Sequence, residues 1–262
     1  MTVITVCYNA VKSIEETICS VINQSYSDVE YILIDGGSTD GTVEVIRKYS
    51  TRITKWISEP DKGIYDAMNK GIEFSHGDWI MFINSGDTLA NEEVLEKIFS
   101  QFYSESIGVL YGDVILAYVY GRVVAKPFPL EEFEHFFPFS HPASFVQGNL
   151  LRSHKFDLKY KIVSDYNLFY QLYKKGIQFK YIPVSVSVFE AETGISSRQF
   201  LTTFREVSQI NGEYIKNGWK IKYLIFTLKR TIIELCKSLV PIRIRQRILF
   251  SRLLKGNHIT QL

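Results

Sequence analysis

The sequence has few of the residues that would indicate a disulfide-rich, zinc-binding or membrane-spanning protein. Its 262 residues include three cysteines, Cys7, Cys19 and Cys236, which are far apart and form no Cys-x-x-Cys pair. Neither a disulfide framework nor a zinc site is predicted, and a reducing, cytoplasmic setting fits best. No apolar run approaches the ~18 residues that a membrane span needs. With 46% hydrophobic and 22% charged residues, the chain is expected to be globular with a large buried core.

Motifs for dinucleotide binding and for export are also absent. The glycine-rich stretch 35–42 has neither the spacing Gly-x-Gly-x-x-Gly nor that of a P-loop. A Rossmann-type oxidoreductase is therefore disfavoured. The chain opens directly into an apolar strand at residues 3–6, without the basic and apolar regions of a signal peptide, so secretion is not expected.

Charge is distributed unevenly along the chain. Residues 216–255 contain eleven Lys and Arg against one Glu, a net charge of +10, whereas the whole chain carries only +2. The remainder therefore carries −8. An acidic body with a basic tail predicts that the tail meets an anionic surface. No nucleic-acid-binding motif accompanies this charge, and the acidic body argues against nucleic acid as a partner.

Short apolar runs alternate with amphipathic segments, which predicts an α/β fold. The predicted strands are 3–8, 29–34, 55–58, 78–83, 109–117, 122–125, 143–147 and 179–188. Ser13 and Glu16 form a capping-box pattern at the start of the first helix. Asp35 follows the second strand, at the end where ligands of doubly wound sheets bind.

Four stretches occur in an order that is more specific than any single one of them. They are Thr5–Asn9, Ile34–Thr42, Glu59–Gly71 and Phe82–Asp87. Together they resemble the motif series of family 2 glycosyltransferases, in particular bacterial exopolysaccharide and O-antigen enzymes of the colanic-acid type. The resemblance implies a GT-A fold over residues 1–196, which is a Rossmann-like mixed sheet flanked by helices. It also implies a nucleotide-sugar donor, with a UDP-sugar favoured, and transfer with inversion at the anomeric carbon.

The resemblance assigns the base and ribose of the donor to Tyr8, Asn9 and Asp35. A carboxylate suits this role because it accepts hydrogen bonds from base N–H or ribose O–H groups. Taken alone, the loop that starts at Asp35 is a weak signal, since acidic glycine-rich turns after strands are common.

Further donor contacts are expected from the stretch 59–71. By resemblance, Asp61 contacts the nucleotide and Lys62 lies near the diphosphate, although a solvated loop lysine is an equal alternative. Asp66 and Asn69 lie three residues apart on one face of a short helix. They either touch the donor or cap local turns.

The turn 84–87 takes the place of the family's metal-binding Asp-x-Asp turn. Ser85 stands where the first aspartate is usual, and Asp87 remains as the carboxylate. Mg²⁺ or Mn²⁺ prefers oxygen ligands and would bridge the diphosphate. We expect a cation held jointly by Asp87 and the diphosphate, with Ser85 as a weak neutral ligand. A metal-independent site is the alternative.

On the acceptor side, the resemblance implies two further site residues. Asp165 falls where the family places the base that takes the acceptor's proton; a helix-start aspartate favoured by the helix dipole is the alternative. His141 is expected to contact the diphosphate, unless it is a hydrogen-bonded structural histidine. The Phe-rich loop 127–139 forms an acceptor wall or fills the core, and residues 190–196 resemble a loop that closes over the site.

The segment 197–262 is expected to form a basic, amphipathic helical extension. Its alternation of Lys/Arg with apolar residues favours an interfacial helix on an anionic membrane surface, with packing on the catalytic domain or across a dimer as the alternative. The combined prediction is a cytoplasmic enzyme, peripheral on the inner face of the cell membrane. It would glycosylate a saccharide acceptor linked to polyprenyl diphosphate in bacterial surface polysaccharide synthesis, such as that of O-antigen and lipopolysaccharide. A non-catalytic nucleotide-sugar or glycan-binding module is the alternative, because the first carboxylate of the metal turn is missing.

Overall fold

The computed structural model describes residues 1–101, 103–191, 199–238, 240–254 and 258–261, in which strands and helices alternate as expected. The strands are β1 Thr2–Cys7, β2 Glu30–Asp35, β3 Lys55–Ser58, β4 Trp79–Phe82, β5 Thr88–Leu89, β6 Ile107–Tyr118, β7 Gly121–Ala125, β8 Ser144–Gln147, β9 Gln178–Glu190 and β10 Ile259–Gln261. The helices are α1 Ile14–Ile22, α2 Thr42–Lys48, α3 Ile64–Phe74, α4 Val94–Phe99, α5 Gly148–Ser153, α6 Ser164–Lys174, α7 Phe200–Ile210, α8 Trp219–Ser238 and α9 Ile242–Leu253.

The strands form one mixed sheet, which confirms the predicted α/β class. Its main path runs β10-β7-β6-β8-β4-β1-β2-β3, while β9 pairs with β5 and β6. Strands β4, β1, β2 and β3 are parallel, and β8 joins β4 to β6 by antiparallel pairing. Because the parallel strands end at one edge of the sheet, the loops after β1, β2 and β4 meet there.

Both faces of the parallel strands are covered, which explains their continuous apolar sequences. Along β1, Val3 belongs to a core cluster on one face with α1, and Ile4 to a second cluster on the other face with α3 and α6. Helix α3 lies very close to β1, since a Cβ added at Gly71 would be 2.5 Å from Cγ2 of Ile4. This close packing brings the start of α3 to the edge where the loops meet.

The predicted capping box at the start of α1 is wrong. Ser13 does occupy the N-cap position, but its side chain makes no capping hydrogen bond. Its hydroxyl instead donates to the carbonyl of Ala10 at 3.5 Å, because the preceding residues already form a turn in which the N–H groups of Ser13 and Ile14 bond to the same carbonyl.

A strand pairing and a buried carboxylate are two of the contacts between the C-terminal segment and the rest of the protein. Strand β10 pairs with β7 at the edge of the sheet. Glu206 on α7 is buried, and its carboxylate accepts the backbone N–H groups of Lys161, Ile162 and Val163 at 2.9 to 3.2 Å. The division at residues 196 and 197 stays a prediction.

Two further expectations concern the C-terminal third. The predicted closing loop falls mostly on residues 192–198, which lie outside the described residues. Within the described part of the chain, no helix combines the length and the hydrophobicity that crossing a membrane requires.

Replacing Glu206 by Ala should lower the free energy of unfolding by about 3 kcal/mol, because three backbone N–H groups lose a charged acceptor. Urea denaturation of the full chain measures this loss. Glu44→Ala is the matched control, since the Glu44 side chain is 68% exposed and 3.9 Å from Arg47. We expect that control to change stability by less than about 0.5 kcal/mol. Equal losses in the two variants would contradict the anchoring role of Glu206.

Candidate active site

Two adjoining cavities open at the edge of the sheet where the loops after β1, β2 and β4 meet. The first has a volume of about 350 Å³ and is lined by Val6, Cys7, Tyr8, Asp61, Gly63, Ile64, Ala67, Asn84 and Ser85. The second, of about 250 Å³, is lined by Ile64, Tyr65, Met68, Asn84, Asp87, Phe137, Phe139, Ser140, His141, Pro142, Lys161, Ile162, Asp165 and Phe189. Ile64 and Asn84 belong to both cavities and separate them.

Asp35 organises the loop beside the first cavity. Its carboxylate is fully buried and accepts the backbone N–H groups of Gly37 and Ser38 and the hydroxyls of Ser38 and Ser58, at 2.5 to 3.1 Å. The Cys7 thiol donates to it as well, at 3.4 Å. Burial alone would raise the pKa of Asp35, but these hydrogen bonds outweigh burial and hold it below its usual value. Asp35 does not line the first cavity, and its direct contact with a donor stays a prediction.

Tyr8 and Asn9 occupy different positions although they are adjacent in sequence. Tyr8 is 66% exposed and lines the first cavity. Asn9 has a left-handed backbone conformation with φ of +48°, which asparagine tolerates better than most residues. Its side-chain oxygen accepts the backbone N–H of Thr39 at 2.9 Å. Asn9 therefore ties the first loop to the second instead of facing the cavity.

Gly36 makes room for the carboxylate of Asp61. A Cβ added at Gly36 would lie 2.4 Å from Oδ2 of Asp61 and 3.4 Å from Cδ2 of Tyr8. The other oxygen of Asp61 accepts the backbone N–H of Gly63 at 2.8 Å. Sequence reasoning missed Gly36; the available signal was the Gly-Gly pair 36–37. The positive φ of Gly37 explains only one of these two glycines. A glycine is required at position 36 because a side chain there would collide with Asp61, and not because of its backbone conformation.

Three other predicted donor residues lie outside both cavities. Lys62 is exposed, and its backbone N–H donates to the Asp66 carboxylate at 3.0 Å. The side chain of Asn69 pairs with the backbone of Phe156, donating to its carbonyl and accepting its N–H at 2.9 Å each. Lys62 and Asp66 match the alternatives of a solvated lysine and a local turn contact, whereas Asn69 bonds to a segment 87 positions away. Donor contacts by Lys62, Asp66 and Asn69 stay predictions.

The turn after β4 divides its polar residues between the cavities. Ser85 lines the first cavity and Asp87 the second. Asn84 lines both, and its side-chain oxygen is buried with no hydrogen-bond partner among the described residues. Sequence reasoning missed Asn84, whose signal was its place directly after a buried strand, beside the predicted metal turn.

Asp87 is a buried carboxyl group that lacks a cationic partner in the described structure. It is 6% exposed, and burial, followed by the nearby charge of Glu190, raises its pKa to about 8. The described residues contain no cluster of three or more His, Cys, Asp or Glu side chains that could hold a metal. Asp87 and the unpartnered oxygen of Asn84 are nevertheless the ligand types that Mg²⁺ and Mn²⁺ prefer. They fit part of a coordination shell, whose other oxygens a ligand would supply.

Asp165 lies in the first turn of α6 and faces the second cavity. The Tyr65 hydroxyl contacts its Oδ1 at 2.9 Å, and Nδ1 of His141 is 4.0 Å from its Oδ2. Burial lowers the pKa of His141, although the Asp165 charge partly offsets this effect. His141 is therefore neutral at pH 7, and its contact with Asp165 is not an ion pair. At 4.0 Å it is also too long for a hydrogen bond.

The Phe-rich loop contributes both to the core and to the site. Phe133 is fully buried in the second core cluster. Phe137 and Phe139 belong to the same cluster and also line the second cavity. Core filling is therefore confirmed for this loop, whereas an acceptor wall formed by Phe137 and Phe139 stays a prediction.

This arrangement can bring two reactants together. The first cavity is large enough for part of a nucleotide and presents an aromatic ring and a carboxylate, Tyr8 and Asp61. The second presents Asp165, whose Oδ2 makes no hydrogen bond within the described chain. A group that reaches from the first cavity past Asn84 would meet a potential general base.

Comparisons with known proteins identify the family of the chain. The model of glycosyl transferase family 2 matches residues 2–176. A PGL/p-HBAD biosynthesis glycosyltransferase of Mycobacterium bovis is 26% identical over 185 residues, and the match covers 68% of this chain and 72% of that protein.

Solved structures show the same fold. S. aureus TarS 1–349 in complex with UDP-GlcNAc has a TM-score of 0.62 at 17% identity, covering 84% of this chain and 72% of that one. The mannosyltransferase PcManGT from Pyrobaculum calidifontis, in complex with GDP-Man and Mn²⁺, has a TM-score of 0.62 at 15% identity, covering 98% and 80%. This chain spans only 43% of another, longer TarS structure.

At identities this low, similarity to solved structures shows the fold alone. The similarity confirms the predicted GT-A architecture of a mixed sheet flanked by helices. The family model covers more than half of the sequence, including all four motif stretches and the position of Asp165. The chain therefore belongs to glycosyl transferase family 2 and is a glycosyltransferase.

Proposed function

We propose that the protein transfers a sugar, with inversion, from a nucleotide-sugar donor to a hydroxyl of a saccharide acceptor. The observation that carries the proposal is the position of Asp165 in the second cavity, which adjoins, at Asn84, the first cavity with its room for part of a nucleotide. A donor bound in the first cavity would present its anomeric carbon near this boundary. An acceptor in the second cavity would attack from the opposite side to the leaving group, which gives inversion.

In this reaction Asp165 acts as the general base. As the acceptor oxygen forms its bond to the anomeric carbon, Oδ2 of Asp165 takes the hydroxyl proton. The bond between the anomeric carbon and the diphosphate oxygen breaks, and its electron pair leaves with the nucleoside diphosphate. Asp165 suits this task because Tyr65 occupies Oδ1 and leaves Oδ2 without a hydrogen bond from the described residues.

The first cavity would hold the nucleotide. Tyr8 offers a ring on which a base can stack, and the Asp61 carboxylate accepts hydrogen bonds from a base or a ribose. A UDP-sugar is the favoured donor, and the UDP-GlcNAc in a TarS structure supports that choice. PcManGT is in complex with GDP-Man, so a guanine nucleotide is the alternative donor base that the binding experiment below includes.

Mg²⁺ or Mn²⁺ would be held by Asp87, the side-chain oxygen of Asn84 and the diphosphate of the donor. When bound, such a cation neutralises the charge that develops on the departing nucleoside diphosphate. The Mn²⁺ in the PcManGT structure supports a metal in a protein of this fold. His141 lies near enough to the second cavity to contact the diphosphate or the transferred sugar.

The segment 197–262 would hold the enzyme at an anionic membrane surface. On α8, the residues Ile221, Leu224, Ile225, Leu228 and Ile232 are 56 to 65% exposed. Their spacing places them on one stripe about 100° wide. Lys220 borders the stripe on one side, and Lys222 and Lys229 on the other. The opposite face of α8 packs on α7, where the Phe226 and Phe204 rings stack at 4.3 Å.

This apolar stripe, defined as Ile221, Leu224, Ile225, Leu228 and Ile232, fits insertion among lipid headgroups, with the lysines contacting anionic lipid. Such a position would favour a lipid-linked acceptor, of the polyprenyl diphosphate type, in surface polysaccharide synthesis. The protein would then be cytoplasmic and peripheral on the inner face of the membrane. The described exposure of the stripe argues against its packing on the catalytic part of the same chain.

Replacing Gly36 by Ala should weaken nucleotide binding at least about tenfold, because the new methyl group would displace the Asp61 carboxylate from the first cavity. Isothermal titration calorimetry with UDP, GDP and dTDP measures the effect. Each titration is run in Mn²⁺ and in EDTA, and the metal proposal requires weaker binding in EDTA.

The double variant Gly36→Ala/Asp61→Ala controls for other effects of the methyl group. If the methyl group acts through Asp61, the double variant binds no more weakly than Asp61→Ala alone. Additive losses would contradict the proposed contact. An absence of binding by the wild-type protein to all three nucleotides would remove the basis of the donor proposal.

Asp165→Asn should reduce turnover at least about a hundredfold, because an amide cannot take the acceptor's proton. The variant keeps an oxygen for the Tyr65 hydroxyl and should bind nucleotide like the wild type. Release of nucleoside diphosphate from UDP-GlcNAc or GDP-mannose, with water or a saccharide as acceptor, measures turnover. Full activity would exclude Asp165 as the base. Nucleotide binding without turnover by the wild-type protein on any acceptor would favour the non-catalytic binding module.

Changing Leu224 and Leu228 together to Ser should lower vesicle binding at least tenfold, because each buried leucine contributes about 1.5–3 kcal/mol. Cosedimentation with phosphatidylcholine vesicles, with and without phosphatidylglycerol, measures binding. Leu158→Ser, at a residue 45% exposed on the catalytic part, should leave binding unchanged. Equal binding of the wild type and the double variant, or no preference for the anionic lipid, would contradict the membrane proposal.

A further inference from the structure

The Tyr65 hydroxyl has two acceptors and only one proton. Its oxygen is 2.9 Å from Oδ1 of Asp165 and 2.7 Å from the carbonyl oxygen of Ile162. A phenol donates a single hydrogen bond, while a carbonyl and an ionised carboxylate can only accept. The two contacts therefore compete for the same proton.

The competition depends on the charge of Asp165. A carboxylate accepts a stronger hydrogen bond than a neutral carbonyl, so the phenol proton points to Asp165 when that residue is ionised. Once Asp165 has gained a proton, Oδ1 is a weaker acceptor. The phenol proton can then turn to the Ile162 carbonyl, since the protonated carboxyl group loses less than a carboxylate would when its donor turns away.

We propose that Tyr65 is a positioning residue for the base, whose hydroxyl alternates between Asp165 and the Ile162 carbonyl as Asp165 loses and gains the acceptor's proton. The inference rests on the proposed role of Asp165. The acceptor's proton ends on Oδ2 of Asp165, while Tyr65 keeps its own proton and only its O–H bond rotates. No net charge moves through Tyr65.

The surroundings hold the three partners in place. Tyr65 is 7% exposed, and its ring lies 5.4 Å from that of Phe156. Burial, followed by the Asp165 charge, keeps the pKa of Tyr65 well above its usual value, so the phenol remains a donor. On the other side, the Glu206 carboxylate accepts the N–H groups of Ile162 and Val163. These two bonds fix the peptide between Ile162 and Val163, whose carbonyl is the second acceptor of the Tyr65 hydroxyl.

Other charged or titratable groups face Asp165 from neighbouring elements. His141 is 4.0 Å from Oδ2 and neutral, while Lys161 and Asp87 line the same cavity. Among the described residues, the hydrogen bond to the carboxylate of Asp165 comes from Tyr65. Tyr65 is therefore the group whose removal would leave the ionised carboxylate of Asp165 without a hydrogen-bond donor from the described residues.

The test compares Tyr65→Phe with Tyr166→Phe. The Tyr166 hydroxyl is also buried and donates to a backbone carbonyl, that of Phe133, at 2.6 Å, but it lines neither cavity. Turnover of UDP-GlcNAc or GDP-mannose is followed against pH, and nucleotide affinity is measured by calorimetry.

For Tyr65→Phe we expect kcat to fall about tenfold and nucleotide affinity to stay within about twofold of the wild type. The acidic limb of the kcat/KM profile should move to higher pH, because the ionised base has lost its donor. Tyr166→Phe should move neither kcat nor the limb, even if it lowers thermal stability.

An unchanged kcat and an unmoved acidic limb in Tyr65→Phe would overturn the inference. So would an equal shift of the limb in both variants, because that result would indicate a general effect of losing a buried hydroxyl. Failure of the proposed function looks different, since the wild-type protein itself would then show no turnover.

Discussion

The buried carboxylate of Asp35 holds together the edge of the sheet on which the site is built. It accepts hydrogen bonds from Cys7 at the end of β1, from its own loop after β2, and from Ser58 at the end of β3. Three parallel strands are thereby tied at their carboxyl ends, where ligands of such sheets bind. The loops that carry Tyr8, Gly36 and Asp61 start from this fixed edge.

Four aspartates near this edge differ because their surroundings differ. Asp35 has five donors and a lowered pKa, whereas Asp87 is similarly buried, has no cationic partner among the described residues and has a pKa raised to about 8. Asp61 keeps one oxygen beside Gly36 and the first cavity. Asp165 has one oxygen bound by Tyr65 and the other near a neutral histidine. The number and the kind of neighbouring donors decide which carboxylate shapes a loop, and which can accept a proton or a ligand.

The second cavity depends on contacts between distant parts of the chain. Tyr65 and Asp165 are separated by a hundred positions, and the segment before Asp165 is anchored by Glu206 on α7. Helix α7 also packs against α8 through Phe204 and Phe226. The C-terminal segment is thus part of the support of the proposed base, and a stack of two helices joins that base to the exposed stripe on α8.

The sequence by itself determined the strand order along the chain, the α/β class and the family, because period-two and period-3.6 hydrophobic patterns and the four motifs are local. It also placed Tyr8, Asp61, Ser85, Asp87, His141 and Asp165 among the candidates that the fold brings to the two cavities. Only the tertiary structure decided that Asp35, Asn9 and Asn69 bond to the protein's own backbone. It also decided that four further residues line or support the two cavities, namely Gly36, Asn84, Tyr65 and Glu206. Their roles depend on distances of 2.4 to 3.2 Å between segments far apart in sequence, or on burial without a partner. Such distances arise when the sheet and its helices pack, and no local pattern records them.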